Sequence, residues 1–285
     1  MHAKNAVMSE EFHTSSSVPT VIVVIPIYTT ALSDAELSAL RHNLRVLASH
    51  DTAVVKPESL DLTPLYTALG MEPSWRVESF PDEFFAGRKG YNRLMLSEVF
   101  YERFLVWEYL LIMQTDVYVF SDRLDAWCAR GYDYVGAPWL PSIREVTGFH
   151  PLHRLAWWFR CLKAKFTRGF TPLDLKWKSG NGGFSLRRVS KLHAIAHEHH
   201  DAITAIADGG DRSENFEDVF WSVRANELSP GALRIAPWRE ALDFAVESHP
   251  MMAMRETGGK LPMGTHAYTR RRNQREWRHY TDFPE

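Results

Sequence analysis

Residues 110–113, Leu-Leu-Ile-Met, form a short apolar run that stops at Gln114, Thr115 and Asp116, and apolar residues resume at Val117. A continuous apolar run of this length, bounded by polar residues, reads as a strand buried on both faces. Such strands belong to parallel sheets, because the crossovers between parallel strands lay helices over both sides. The preceding sequence supplies the rest of the pattern. Residues 20–28 are β-branched and close at Pro26, which cannot sit inside a ladder. Ser33 and Glu36 have capping-box spacing, and Leu37, Leu40, Leu44 and Leu47 follow at three, four and three, predicting a helix with one buried stripe. Residues 52–56 and 75–80 predict two further strands, and 91–104 a helix. This β-α-β-α-β alternation predicts an α/β fold with a mostly parallel sheet flanked by helices.

The second half is less regular. Residues 132–139 predict an edge strand closing at Pro138, and residues 180–187 a glycine turn entering a strand. Residues 189–200 and 217–224 predict helices, and 233–236 and 244–247 short strands. The expected layout is a leader over 1–18, one domain over 19–269 and a surface tail over 270–285. Within the domain, 19–140 forms one half, 142–178 an insertion and 179–269 the other half. At 285 residues and 45% hydrophobic, one core suffices for such a domain. There is no Gly-x-Gly-x-x-Gly after the first strand and no P-loop, so neither fingerprint for phosphate binding applies.

Charge and cysteine usage narrow the function. The formal net charge is −2, from 33 basic and 35 acidic residues, which gives no support to nucleic-acid binding across the surface. Two cysteines, Cys128 and Cys161, make no disulfide framework or zinc site and fit a reducing, cytoplasmic compartment. The stretch 1–17 has no apolar core of a secretory signal, and the run 21–27 is too short to span a bilayer. The insertion is basic, with eight basic and two acidic residues over 142–178. Leu152, Leu155, Phe159, Leu162 and Phe166 make a helical stripe in it, with Trp157 off the stripe. Residues 152–168 therefore suit either a lid with its basic face in water or a peripheral contact with the inner face of an anionic membrane.

Four motifs carry the chemistry: Gln114-Thr-Asp116 at a strand end, Asn181-Gly-Gly-Phe-Ser-Leu-Arg187, Glu217-Asp-Val-Phe-Trp221 and Gly264-Thr-His266. A carboxylate at the carboxyl end of a central strand lies where open α/β sheets bind ligands. Buried there, it needs a cation or a dense set of donors. Asp116 also fits a structural acid or cap, and acids opening a helix, as Glu217 and Asp218 do, are favoured by the helix dipole. The cluster His193, His197, His199 and His200 lacks a further ligand and reads as a solvated helix end.

In combination these motifs resemble glycosyltransferases of the GT-A fold. More narrowly, they resemble a sparsely characterised bacterial branch that shares the Asn-Gly-Gly-Phe-Ser-Leu-Arg turn, the Glu-Asp-Val-Phe-Trp helix and a Gly-Ala-Pro-Trp strand, from about Val21 to about Tyr268. The resemblance implies a hexosyl or related transferase acting on a nucleotide-diphosphate sugar, in polysaccharide biosynthesis, with a glycan or lipid-linked acceptor. It implies a divalent metal, Mn²⁺ or Mg²⁺, held by Asp116 and His266, and Asp218 as general base of an inverting reaction. Donor contacts fall to Tyr28, Thr29, Asn92, Gln114, Thr115 and Asp116. Acceptor contacts fall to Trp139, Asn181, Gly182, Gly183 and Glu217. Gln114 departs from the pattern, since it stands where the first acid of Asp-x-Asp is expected. Two other readings stay open: a nucleotidyltransferase, which would want basic residues after the first strand where 27–30 has none, and a non-catalytic nucleotide-sugar-binding protein.

Overall fold

A computed structural model describes residues 20–70, 74–142, 172–209 and 215–280. The leader 1–18 and most of the insertion, including the stripe over 152–168 and Cys161, lie outside the described residues. Six strands form the main sheet: β1 (Val21–Pro26), β2 (Asp51–Pro57), β3 (Arg76–Phe80), β4 (Tyr109–Met113), β6 (Tyr134–Pro138) and β7 (Ser179–Arg188), in the order β3-β2-β1-β4-β7-β6. β1, β2, β3 and β4 pair in parallel, while β7 pairs antiparallel with both β4 and β6. The α/β expectation of a mostly parallel sheet flanked by helices is borne out, with β7 running against the rest.

The apolar runs explain why β1 and β4 are central. Val21, Val23 and Ile25 of β1 and Leu111 and Met113 of β4 face one core. The alternate residues Ile22, Val24, Leu110 and Ile112 face a second core across the sheet. Leu110, Leu111 and Ile112 are completely buried, and each side chain contributes about 1.5–3 kcal/mol on leaving water. Helices Asp34–Val46 and Gly87–Leu96 cover the two sides. Ser33 caps the first in a complete capping box with Glu36.

A small second sheet holds the other half of the site. It has the order β5-β9-β8, with β5 (Tyr118–Val119), β8 (Ala245–Val246) and β9 (Gly264–Thr265). Buried Asn43 ties it to helix Asp34–Val46, donating to Val117 O at 2.8 Å and accepting from Val119 N–H at 2.9 Å. From the other side, Trp277 Nε1 donates to Thr265 Oγ1 at 3.1 Å. The segment 270–285, expected as a surface tail, includes helix Arg271–Trp277, in which Asn273 and Trp277 are buried. A tryptophan costs too much exposed apolar area to leave in water when a core is in reach.

Three expectations change. The glycine-rich 180–183 lies inside β7, where the register with β6 shifts, and is not a separate turn before the strand. Residues 233–236 form no strand, only an isolated bridge between Ile235 and Tyr134. The helix expected over 91–104 breaks at Ser97, which ends Gly87–Leu96 and caps Glu98–Glu102 through its hydroxyl. Finally, residues 217–228 form one helical run with a π-type turn at Phe220–Arg224, which begins two residues after Asp218. Such turns recur beside functional residues.

Candidate active site

The strand order reverses between β1 and β4, and open α/β sheets bind ligands in the crevice outside the carboxyl ends at that point. Two cavities open there. One, of about 270 Å³, is lined by Tyr28, Thr29, Glu36, Gln114, Thr115 and Asp116, with Thr269 from the far half of the chain. The other, of about 300 Å³, lies between Tyr28, Phe85, Arg88, Tyr91 and Gln114. A larger cavity of about 560 Å³ sits at the amino ends of β1 and β2, near Ile22, Asp51 and Trp107. It lies at the end of the sheet where such folds do not place their chemistry.

Asp116 sits two residues before β5, and His266 directly after β9, so the antiparallel pairing brings them together. His266 Nε2 lies 3.2 Å from Asp116 Oδ1 and 3.1 Å from Gln114 Oε1. Gln114 is fixed by its own N–H, which donates to Gly183 O at 3.0 Å. Burial works against charge on Asp116, but the hydrogen bond and charge of His266 outweigh it and hold the carboxyl below its usual range. Burial likewise opposes a charged His266, yet Asp116, then Glu247, raise it. Ala267, next in the chain, holds the left-handed conformation at φ +54°, and Asn273 donates to its carbonyl at 2.9 Å. Backbone strain of this kind persists where surrounding bonds over-determine it.

The glycines of β7 make room for these side chains. A Cβ at Gly183 would collide with the His266 ring, and one at Gly182 with the Glu217 carboxylate. The register of β7 with β6 shifts between Asn181 and Ser185, and at this irregularity the two neighbouring glycines open toward different groups. Glu217 is buried against Arg187, whose Nη2 donates to Glu217 Oε1 at 3.0 Å. Arg187 also donates to Ser185 Oγ and Tyr101 Oη, both at 3.0 Å. Asn92 is buried, and its Oδ1 accepts from Glu217 N–H at 3.2 Å. Asp218 Oδ1 accepts from Val219 N–H at 2.8 Å. Burial, then the charges of Glu217 and Glu247, push the Asp218 carboxyl up to about 7.

The structure thus gathers Tyr28, Thr29, Gln114, Thr115, Asp116 and His266 around one crevice. Gly182, Gly183, Glu217 and Asp218 meet on β7 beside it. Asn181 Oδ1 accepts from Gly183 N–H at 3.1 Å, which shapes the glycine pair. Trp139 packs with Leu175, Val219 and Val223, and its ring fills the space left by Gly180. Two residues of the site carried no signal of this role in the sequence. Glu36 reads only as a cap, yet its Oε1 also accepts from Thr115 Oγ1 at 2.8 Å. Glu247 sits at the end of β8, 3.8 Å from His266 Nδ1. Of the histidine cluster, His193 and His197 lie against Glu98, at 3.7 Å and 2.9 Å.

Among the described residues, no three His, Cys, Asp or Glu side chains are grouped to hold a metal ion unaided. The donor set beside Asp116 nevertheless fits a small divalent ion that takes its other ligands from a substrate. An imidazole nitrogen, a carboxylate oxygen and an amide oxygen converge within hydrogen-bond distance, and only a proton on Nε2 or a cation relieves that excess of acceptors. Magnesium-type sites commonly use one or two carboxylates plus phosphate oxygens. Among the described residues, no helix is long and apolar enough to cross a membrane.

A family model described as "Protein of unknown function (DUF5672)" matches residues 74–266. The crystal structure of mouse xyloside xylosyltransferase 1, apo form, is similar at a TM-score of 0.48 and 11% sequence identity, covering 87% of this chain and 96% of that one. Core-mannan synthase A from Aspergillus fumigatus, in a Mn/GDP form, is similar at a TM-score of 0.46 and 8% identity, covering 83% of this chain and 75% of that one. A search of curated proteins returns no match.

Proposed function

The chain belongs to the DUF5672 family, and we propose that it is a glycosyltransferase of GT-A type, moving a sugar from a nucleotide-diphosphate donor to a hydroxyl acceptor. The observation that carries this reading is the convergence of His266 Nε2, Asp116 Oδ1 and Gln114 Oε1 beside a crevice at the β1–β4 switch point. The four motifs meet around it, although up to 152 residues separate them in the chain.

In this reading the donor lies across the ends of β1 and β4. Tyr28 supplies a half-exposed ring over the crevice, and Thr29 and Thr115 supply hydroxyls to its wall. Asp116 and His266 would hold a divalent ion, which would supply positive charge to the diphosphate leaving group. The acceptor approaches from the β7 side. Asp218, with its carboxyl pushed up to about 7, takes the proton of the attacking hydroxyl, since a base is most effective with a pKa near the working pH. The bond from the sugar anomeric carbon to the donor oxygen breaks as the bond to the acceptor oxygen forms, with inversion. Glu217 keeps β7 and Arg187 in place, and Asn92 secures the amino end of the helix carrying Asp218.

A thermal-shift panel of nucleoside diphosphates and their sugars, with and without Mn²⁺, tests this. A ligand bound only by the folded state raises the melting temperature by mass action. The expected result is a shift for one diphosphate series that grows with Mn²⁺ and is lost in Asp116→Asn. No shift with any member would end the donor assignment.

A further inference from the structure

The three strands of the small sheet end at one edge, and each delivers one polar side chain there. Asp116 precedes β5, His266 follows β9, and Glu247 follows β8. The parallel register of β8 with β9, Val246 opposite Thr265, sets Glu247 beside His266. His266 N–H donates to Val246 O at 2.9 Å, and Thr265 Oγ1 donates to the same oxygen at 2.7 Å. The Glu247 carbonyl is held by Asn273 Nδ2 at 2.6 Å. The placement of Glu247 is therefore fixed by backbone bonds on both sides.

The two nitrogens of the His266 ring face different surroundings. Nε2 points at Asp116 and Gln114, as described. Nδ1 is buried without a hydrogen-bond partner, and Glu247 Oε1, at 3.8 Å, is the carboxylate it faces. Arg270 shares that carboxylate from the solvent side, its Nη1 3.4 Å away. A bare Nδ1 lone pair toward a carboxylate would be repelled; a protonated Nδ1 is attracted. A histidine that ligates metal through one nitrogen carries its proton on the other, usually aimed at a carboxylate or carbonyl that fixes the tautomer and the ring plane.

We propose that Glu247 is a positioning residue of this site: it keeps the Nδ1 proton of His266, so that the Nε2 lone pair is turned to a divalent cation beside Asp116. This rests on the cation reading above and adds to it a residue that no motif contains. Glu247 acts through His266 and does not itself touch the ion.

The test is Mn²⁺ binding to the full-length protein, followed by the electron paramagnetic resonance signal of free Mn²⁺, without and with a mixture of nucleoside diphosphates. Glu247→Ala is expected to weaken binding about 10- to 100-fold, the usual effect of removing such a partner. Glu247→Gln, whose amide oxygen can still accept from Nδ1–H, should fall between. In a His266→Gln background, Glu247→Ala should change nothing further, because the link it acts through is gone. Affinity within twofold of wild type in Glu247→Ala, with Asp116→Asn defective, would overturn the role of Glu247 and leave the cation site standing. A full loss on top of His266→Gln would also overturn it, making Glu247 a ligand in its own right. If Glu247→Ala does not fold, Glu247→Gln carries the same comparison, and wild-type affinity there overturns the proposal. A wild type that takes up no Mn²⁺ under either condition would remove the cation reading itself.

Discussion

β7 separates two polar clusters that are wired in opposite ways. On the Gly182 side, the Arg187 guanidinium donates to Ser185, Tyr101 and the Glu217 carboxylate, and Tyr101 O–H passes on to Met95 O at 2.8 Å. The charges there compensate, with Arg187 Nη2 also 3.0 Å from Glu217 Oε2, which makes no hydrogen bond of its own. On the Gly183 side, His266, Asp116, Gln114 and Glu247 bring acceptors together, with one exposed arginine, Arg270, at the margin. A matched buried network rigidifies a fold. A cluster with surplus acceptors is held by a proton on the imidazole or by a cation in that proton's place. The first cluster therefore reads as support and the second as a receptor.

Asp218 is where the contrast should break most sharply. It lies next to Glu217 in sequence yet, among the described residues, is paired with no arginine, and its carboxyl is pushed up to about 7. Asp218→Asn is expected to fold, to bind donor as the wild type does and to lose about 10²- to 10⁴-fold in turnover, measured as transfer of radiolabelled sugar at saturating donor. Turnover near wild type would take the base role from it.

The support cluster should respond in stability. Arg187→Met strands Glu217 as a buried charge and is expected to cost about 3–5 kcal/mol in urea denaturation, while Arg187→Met with Glu217→Gln recovers most of that. His266→Gln, on the other face, should leave the denaturation midpoint nearly unchanged and weaken Mn²⁺ binding while Asp116 still retains a measurable part of it. A large stability loss in His266→Gln would erase the distinction between the two clusters.

Smaller effects should follow from pH. The ionised Asp218 is the base, so turnover should climb as pH rises through about 7 and then level off. Folding has the opposite dependence on that group. Its folded-state pKa lies above the unfolded value, so the charge costs stability increasingly as pH rises from about 4 to about 7, and the cost is constant beyond. Asp218→Asn should therefore melt higher than wild type at pH 8, with the gap closing toward pH 4. A gap independent of pH would argue against a raised carboxyl there. Ala267→Gly, which relaxes the left-handed residue beside His266, should alter stability by about 1 kcal/mol or less and loosen Mn²⁺ binding slightly.

Much of the main sheet was legible because its signals are local. The runs over 20–28 and 110–113 announce buried strands by composition alone, and the spacing of Ser33 with Glu36 announces a helix start. Asp116 and His266 were legible as a pair through motif resemblance, and the structure brings them to 3.2 Å. The glycine pair was misread as a turn. Its purpose is steric, to admit Glu217 on one face of a strand and His266 on the other, and a neighbour's side chain leaves no trace in the local pattern. The C-terminal segment is mostly exposed, as its charged residues suggest, and what local pattern does not show is that Asn273 and Trp277 dock it.

By itself, the sequence determined the strands of the parallel half of the main sheet, the cap at Ser33 and the identities of groups able to bind a cation or accept a proton, since periodicity and residue chemistry act over a few positions. Only the tertiary structure decided which of those groups meet. Glu36 reaches Thr115 across 79 residues, and Glu247 reaches His266 through the pairing of two short strands. Contacts of that range depend on how distant segments pack, and an isolated carboxylate looks the same in sequence whether it caps a helix, faces water or turns a histidine toward a metal.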